Sequence, residues 1–574
     1  MHLLSLLLSL PLVAAPQPEP DEPAAVVPAG MRSGWVVDTQ QREAVRLFHR
    51  VRYRATPRSG FWQGSIDRCD AGETLPQHRQ AALARVNWFR AMAGVPADVE
   101  EDPAASRKTQ AAALVMAANG RIAHAIDTGW RCHSADAEEG ARLSLLARGE
   151  NGARAVTAFM RDAGLQNQGV NHRRWLLYPQ TRFIGLGDVP MAGQADAASG
   201  FTAYDGLYGS NRPAVRDGFV AWPPPGWVPY GVVFPRWSFA LPGADFSEAR
   251  IRMWRGDEEV AVATEPLEVE VGEPTLVWRA HALAHDAAWT DRDGQYRVRI
   301  DRVKLAGAWQ EYAYQVSLFD PEAVHATTSE ARIEGERRIP LAGGGFRVLS
   351  QPGVTGAQWR AIQVSTGGVA AGAEQGYGLF SYSGRNDYAV LNGKVVASGR
   401  QAYRLAHQGA GNETLTLSQA VMLGPAPRLR FMSQLGVAGR DEVALVEVLA
   451  DGRDDWETVY RQGSDGVPAH AEGQYIERLV DLSAYGLRRV QLRFRYQFDQ
   501  GDFYSPDDSR VGWYIDDIQL DDAGLAQQTT EPQHTRQEQF DFVPAARGRW
   551  FLQARPLVYQ ATGDWGPLWQ VHVE

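Results

Sequence analysis

Three side chains able to bind a metal or move a proton stand out in the first third of the chain. They are His124 in RIAHAIDTG, Glu150 in ARGENGA and His172 in GVNHRRWLLYP. They lie far apart in sequence, so no local motif such as HExxH joins them. Two imidazoles and a carboxylate can form three sides of a zinc site, with water as the fourth ligand. Such a water is activated for hydrolysis. The same groups can equally form a hydrogen-bonded polar cluster whose imidazoles titrate near neutrality. A glutamate after glycine at a helix start also satisfies free amides and the helix dipole. Arg173 and Arg174 read as solvated or paired with carboxylates. No nucleophile elbow or Ser–His–Asp spacing accompanies the three residues. A glutamate that ligates metal cannot easily serve as a base as well, so binding is favoured over catalysis.

The elements that must position these residues are helical. Leu83, Val86, Phe89 and Met92 recur at helical spacing. In EDPAASRKTQAAALVMAANG, Asp102 is a good N-cap, Pro103 a good first helical residue and Gly120 a stop. A third helix is expected over 136–147. Asn151 can cap a fourth, GARAVTAFMRD, and Asn171 can cap HRRWLL. RFIGLGDV reads as a strand with Phe183 and Ile184 buried, its glycines allowing close backbone approach.

The whole chain has 574 residues, enough for three or four domains. Its 44% hydrophobic and 22% charged content is ordinary for globular protein, and its 18 tryptophans suit aromatic-rich β structure. The net charge of −10 argues only for solubility, and without a Lys/Arg block no nucleic-acid partner is expected. MHLLSLLLSLPLVAA reads as a secretory signal peptide (1–15), although its n-region lacks Lys and Arg. No later stretch is long and apolar enough for a membrane helix. The expectation is an exported protein: extracellular, periplasmic or cell-surface associated. The two cysteines, Cys69 and Cys132, are then most simply one disulfide. Closing so long a loop stabilises by roughly 3–4 kcal/mol in the chain-entropy description.

Texture divides the remainder. A Pro-rich linker covers 16–34 and a mainly helical domain 35–220. A Pro-rich connection, 221–236, cannot be helix or central strand. Residues 237–335 alternate as an Ig-like β-sandwich, through Tyr296, Val298 and Ile300 and through Tyr312, Tyr314, Val316 and Leu318. A second β unit spans 345–522, where VQLRFRYQF alternates with arginines on the opposite face. A C-terminal β segment covers 523–574. No fixed-period repeat is present.

Four motifs in order, VNWFRAMAG, AAALVMAANGRIAHA, RGENGARAV and GVNHRRWLLYP with RFIGLG, resemble the CAP superfamily. That superfamily holds the cysteine-rich secretory, antigen 5 and pathogenesis-related 1 proteins; the likeness here is to its bacterial SCP-type domains. The resemblance implies an α–β–α sandwich with a cleft. It matches His124 and His172 to the family's two histidines, Glu150 to its GEN glutamate, and Asn151 to the residue after it. The family's second acidic residue has no recognisable match; Asp162 and Glu139 are the candidates. AYRLAHQGAGNETLTL, LRFMSQLG and GWYIDDIQL resemble the MAM-like jelly-roll modules of secreted proteases such as immune inhibitor A. There Asp516 and Asp517 could contribute to a Ca²⁺ site, or serve as turn and pairing residues. The reading is a multidomain fold, CAP sandwich followed by β-sandwiches. It binds a small ligand or metal in the CAP cleft and a surface, glycan or protein through its β modules. The alternative is a zinc-dependent extracellular hydrolase or protease.

Overall fold

Two helix stops and two strand glycines set the geometry of the first domain. The structure, a computed structural model, describes residues 34–574 except 54–61, 191–196, 203–209, 269–271, 281–282, 285–286, 323–329, 350–351, 386–387, 454 and 536–537. The signal-peptide reading and nearly all of the linker reading lie outside the described residues. The order is α1 (Arg42–Phe48), β1 (Trp62–Ser65), β2 (Asp70–Thr74), α2 (Pro76–Ala93), β3 (Glu100–Glu101), α3 (Pro103–Asn119) and α4 (Ala135–Leu143). Then follow β4 (Ser144–Arg148), α5 (Gly152–Arg161), α6 (Asn171–Leu176), β5 (Phe183–Pro190) and β6 (Ala197–Thr202). Asp102 caps α3 by accepting from the amides of Ala104 and Ala105, and Gly120 ends it at φ 62°. Gly94 ends α2 in the same left-handed conformation.

β3, β5, β6 and β4 form one sheet in that order. Adjacent residues of β4 face opposite ways: Leu145 joins the core of α2 and α5, and Leu146 that of α3 and α4. This is an α–β–α sandwich. A Cβ on Gly185 or Gly187 would stand 2.5 Å from backbone atoms of α3, so only glycine lets the helix rest on the sheet. Two expectations need correction. The helix expected over 136–147 ends at Leu143, because Ser144–Arg148 pairs with β6 and buries leucines on both faces. Phe183 is half-buried rather than buried; it opens β5 with the Arg182 guanidinium 5.3 Å from its ring centroid. Cys69 and Cys132 are joined by a disulfide, tying the β1–β2 turn to the loop before α4.

The second domain packs a four-stranded sheet on a six-stranded one. The Pro-rich segment is part of it. Val220–Trp222 pairs at the edge of one sheet and Gly226–Pro229 at the edge of the other, where lost N–H donors are tolerated. Trp222 is fully buried between them, its Nε1 donating to the Val232 carbonyl at 3.1 Å. The expected alternation places Tyr296, Val298, Ile300, Tyr314, Val316 and Leu318 inside, with Tyr312 half-buried.

No seam separates these two domains. One apolar cluster runs from Trp88, Phe89 and Met92 of α2 through Phe159 to Trp222, Trp237, Phe239 and Trp278. Arginines lace it. Arg173, expected to be solvated or carboxylate-paired, is 1% exposed. It donates to the carbonyls of Met160 (2.7 Å) and Arg236 (2.8 Å) and to Ser238 Oγ (3.1 Å). Arg236, equally buried, returns to the carbonyls of Asp162 and Gly164, both at 2.7 Å. Arg174 is also buried and donates to the Glu273 carbonyl at 3.1 Å. Burial pulls the Arg173 guanidinium down to about 9; Asp162 opposes this and Arg236 adds to it. It therefore remains a cation at neutral pH.

The C-terminal half holds a large β module whose core includes Leu415, Val446, Phe494 and Trp513. Val490, Leu492, Phe494 and Tyr496 point inward, while Arg493 and Arg495 pair with Glu447 on the other face. A smaller module is split in sequence. Gly356–Val364 pairs with Gly548–Val558 from Gly356↔Leu557 to Gln363↔Trp550. The large module is inserted between these two strands. The boundary expected at 522 is thus displaced: the strand Trp513–Thr529 runs through it. Residues from 345 to 364 belong with the tail, because long-range pairing leaves no local pattern. Among the described residues, no helix is long and apolar enough to cross a membrane.

Arg173→Leu should leave three buried acceptors without a donor and cost about 3 kcal/mol. Scanning calorimetry of the full chain should show the helical domain and first sandwich melting together, both displaced to lower temperature in the variant. Separate transitions, with only one displaced, would contradict the shared core.

Candidate functional site

His172 is held by the end of the preceding helix. Asp162 closes α5 in the left-handed region at φ 51°, which Asp tolerates, and this turns its carboxylate towards α6. The carboxylate is fully buried and takes three donors: His172 Nδ1 at 2.6 Å, the His172 amide at 2.9 Å and the Arg173 amide at 3.4 Å. Asp162 thus caps α6, in place of the expected Asn171. Asn171 is the first helical residue and donates instead to Glu268 at 2.5 Å. That contact occupies Nδ1 of His172 and leaves Nε2 as the other polar atom of the ring. The imidazole packs 5.3 Å from the Phe159 ring and keeps 22% of its surface exposed. Its Nε2 has no hydrogen-bond partner among the described residues.

His124 is exposed, and its Nδ1 lies 3.0 Å from the Ala141 carbonyl of α4. The Glu150 side chain is 44% exposed, with Arg154 Nε at 3.4 Å. Of the two candidate second acids, Asp162 meets His172. Glu139 instead pairs with Lys108 at 2.8 Å, and that hydrogen bond holds its carboxyl below the usual range. Both anchored imidazoles have the form metal-ligating histidines take, with Nδ1 on an oxygen and Nε2 open. The set is nevertheless not assembled: among the described residues, no three His, Cys, Asp or Glu side chains are grouped to hold a metal.

Glu150 is placed through its backbone, by residues that the sequence reading passed over. Asn151 makes no capping bond to α5. The Gly152 amide goes instead to Asp188 Oδ1 of β5 at 2.9 Å. Ser199 Oγ donates to the Glu150 carbonyl at 2.7 Å and also contacts Asp188 Oδ1. His78 Nε2 lies 3.3 Å from Asp188 Oδ2. His78, Asp188 and Ser199 are all nearly inaccessible. Gly152 sits at φ 49°, and a Cβ there would strike the His78 ring at 2.4 Å. One signal was in the sequence: an acid inside the apolar strand FIGLGDV requires a buried partner.

Asp516 and Asp517, the candidate calcium residues, lie side by side on the strand Trp513–Thr529. Asp516 is buried, and it accepts from the amides of Ala397 (3.0 Å), Ser398 (3.3 Å) and Asp517 (2.9 Å). Burial raises its carboxyl, with those amides opposing. Asp517 accepts from Ser398 Oγ at 2.7 Å. Through these bonds the pair anchors the 397–398 loop.

Residues 83–198 match the family model described as CAP, cysteine-rich secretory protein family, about a fifth of the chain. No curated protein matches the sequence. Solved structures include carbohydrate-binding modules of the β-sandwich superfamily, at 12% identity over 50% of this chain and 91% of that one, TM-score 0.18. Another is the CBM22-1 xylan-binding domain of Paenibacillus barcinonensis Xyn10C, at 14% identity over 29% and 99%, TM-score 0.19. A third is SGBP-B from a xyloglucan utilization locus of Bacteroides uniformis, at 11% over 50% and 94%, TM-score 0.19.

Asp188→Ala should free the Gly152 amide and Ser199 inside the domain and cost about 2–3 kcal/mol, seen as a lower denaturation midpoint. Asp162→Asn keeps an acceptor for the α6 amides but weakens the hold on Nδ1–H. Nitrogen-15 NMR of the histidine rings should then show the His172 ring signals shifting, with the fold intact.

Proposed function

We propose that this is an exported multidomain binding protein. Its CAP segment recognises a small ligand through the face that carries His172. Its β modules, read from the sequence as jelly-roll and Ig-like units, attach it to a surface, glycan or protein partner.

The observation that carries this reading is the anchored imidazole. Nδ1 of His172 is tied to a buried carboxylate 2.6 Å away, and the ring is partly exposed. A ring fixed in advance loses little further freedom on binding. Arg173 and Arg174 brace its helix against the first sandwich. Binding is favoured over zinc-dependent hydrolysis because a glutamate that ligates metal cannot easily serve as the base as well. Glu150, the remaining candidate base, is engaged with Arg154.

The test is histidine-labelled NMR of the full-length chain, with Zn²⁺ and with phosphatidylcholine vesicles containing cholesterol as separate probes, since members of the family this segment resembles are described as metal binders and as lipid or sterol binders. The His172 signals are expected to move with one of them, and the response to vanish in His172→Ala. Signals that move with neither, or binding unchanged in the variant, would remove His172 from the recognition face.

A further inference from the structure

The two C-terminal β modules meet at a cleft of about 550 Å³, within the range of ligand sites. Each wall contributes alternate residues of one strand face: Arg360 and Ile362 from Gly356–Val364, Arg489 and Gln491 from Arg489–Phe498, with Asp451 just past Val443–Ala450. Arg453 also lines the cleft, which makes three arginines to one carboxylate. Asp451 is already engaged, accepting from Arg489 Nη1 at 2.8 Å, with Arg360 Nη2 at 3.7 Å. The cleft therefore keeps an excess of positive charge.

Arg360 is held in place from behind. Its Nε and Nη2 donate to Gln553 Oε1 at 3.1 and 2.7 Å, and the Trp565 ring lies 4.0 Å from its guanidinium carbon. Its Nη1 makes no hydrogen bond among the described residues. Burial, then the neighbouring Arg489, pushes this guanidinium down to about 10, with Asp451 opposing and Arg555 adding. An entering anion would relieve that repulsion. The remaining polar lining is neutral: Ser418, Gln419, Gln491 and Thr529 offer hydroxyls and amides. Of the apolar lining residues, Ile362 and Met422 are buried, while Ala420, Leu449, Ala450 and Ala526 keep some exposure.

We infer that this cleft binds an acidic oligosaccharide, its carboxylate read by Arg360 and Arg489 and its hydroxyls by the neutral side chains. Guanidinium forks suit planar carboxylates, and neutral amides and hydroxyls suit sugar hydroxyls. This gives a ligand class to the attachment role proposed above and rests on it.

The experiment is isothermal titration of the full-length protein with trigalacturonate and with neutral galactotriose. Trigalacturonate alone is expected to bind, more weakly as salt is raised. Arg489→Gln should lower its affinity at least tenfold, and Gln491→Glu, which places a second carboxylate in the cleft, should abolish binding. Arg453→Gln, at an exposed position, should weaken binding several-fold at an unchanged melting temperature. Galactotriose binding as tightly as trigalacturonate would overturn the acidic-ligand inference while keeping the attachment role. Binding of neither sugar, wild-type affinity in the variants, or binding of polyglutamate but not of trigalacturonate would overturn it outright.

Discussion

Two arginines without access to water hold the N-terminal half together. Arg173 reaches from the helical domain to the backbone of Arg236, and Arg236 reaches back to the carbonyls of Asp162 and Gly164. A buried guanidinium is tolerable only when its donors meet acceptors at good geometry. Here the acceptors are mainly backbone carbonyls, three of them on the opposite domain, so each arginine fixes a chain path as well as a charge. Asp162 stands at the crossing. Its carbonyl receives Arg236 while its carboxylate receives His172, so domain docking and imidazole placement share one residue.

A second polar centre does the same for the GEN segment. Asp188 rises from β5 between α2, α5 and β6, and its two oxygens face His78, the Gly152 amide and Ser199. Through Ser199 it fixes the Glu150 carbonyl, leaving the Glu150 side chain to solvent and Arg154. Both centres lie below the surface that carries the candidate residues. The exposed groups are few, and what determines their positions is buried.

The C-terminal half is organised by pairing across long sequence distances. Inserting one β module into another places the ends of several strands at a common junction, and the arginine-lined cleft forms there. Neither module supplies that lining alone: Arg360 belongs to the split sandwich, and Arg489 and Asp451 to the inserted one.

Local rules account for what the sequence determined by itself. Asp102, Pro103 and Gly120 bracket their helix because capping is decided within a few residues. Gly185 and Gly187 announced a close helix–sheet approach, and period-two alternation marked the strands of both β regions, because a strand's two faces differ in burial wherever it lies. Tertiary structure decided the rest. SLLA became a strand because a partner strand was available to it. The second acid near His172 could not be chosen from motif spacing, since Asp162 reaches the ring only through a left-handed turn. Arg173 and Arg174 looked like surface charges because part of their acceptor set belongs to another domain. Hydrogen bonds to distant backbone leave no local pattern, and in this chain they position the site.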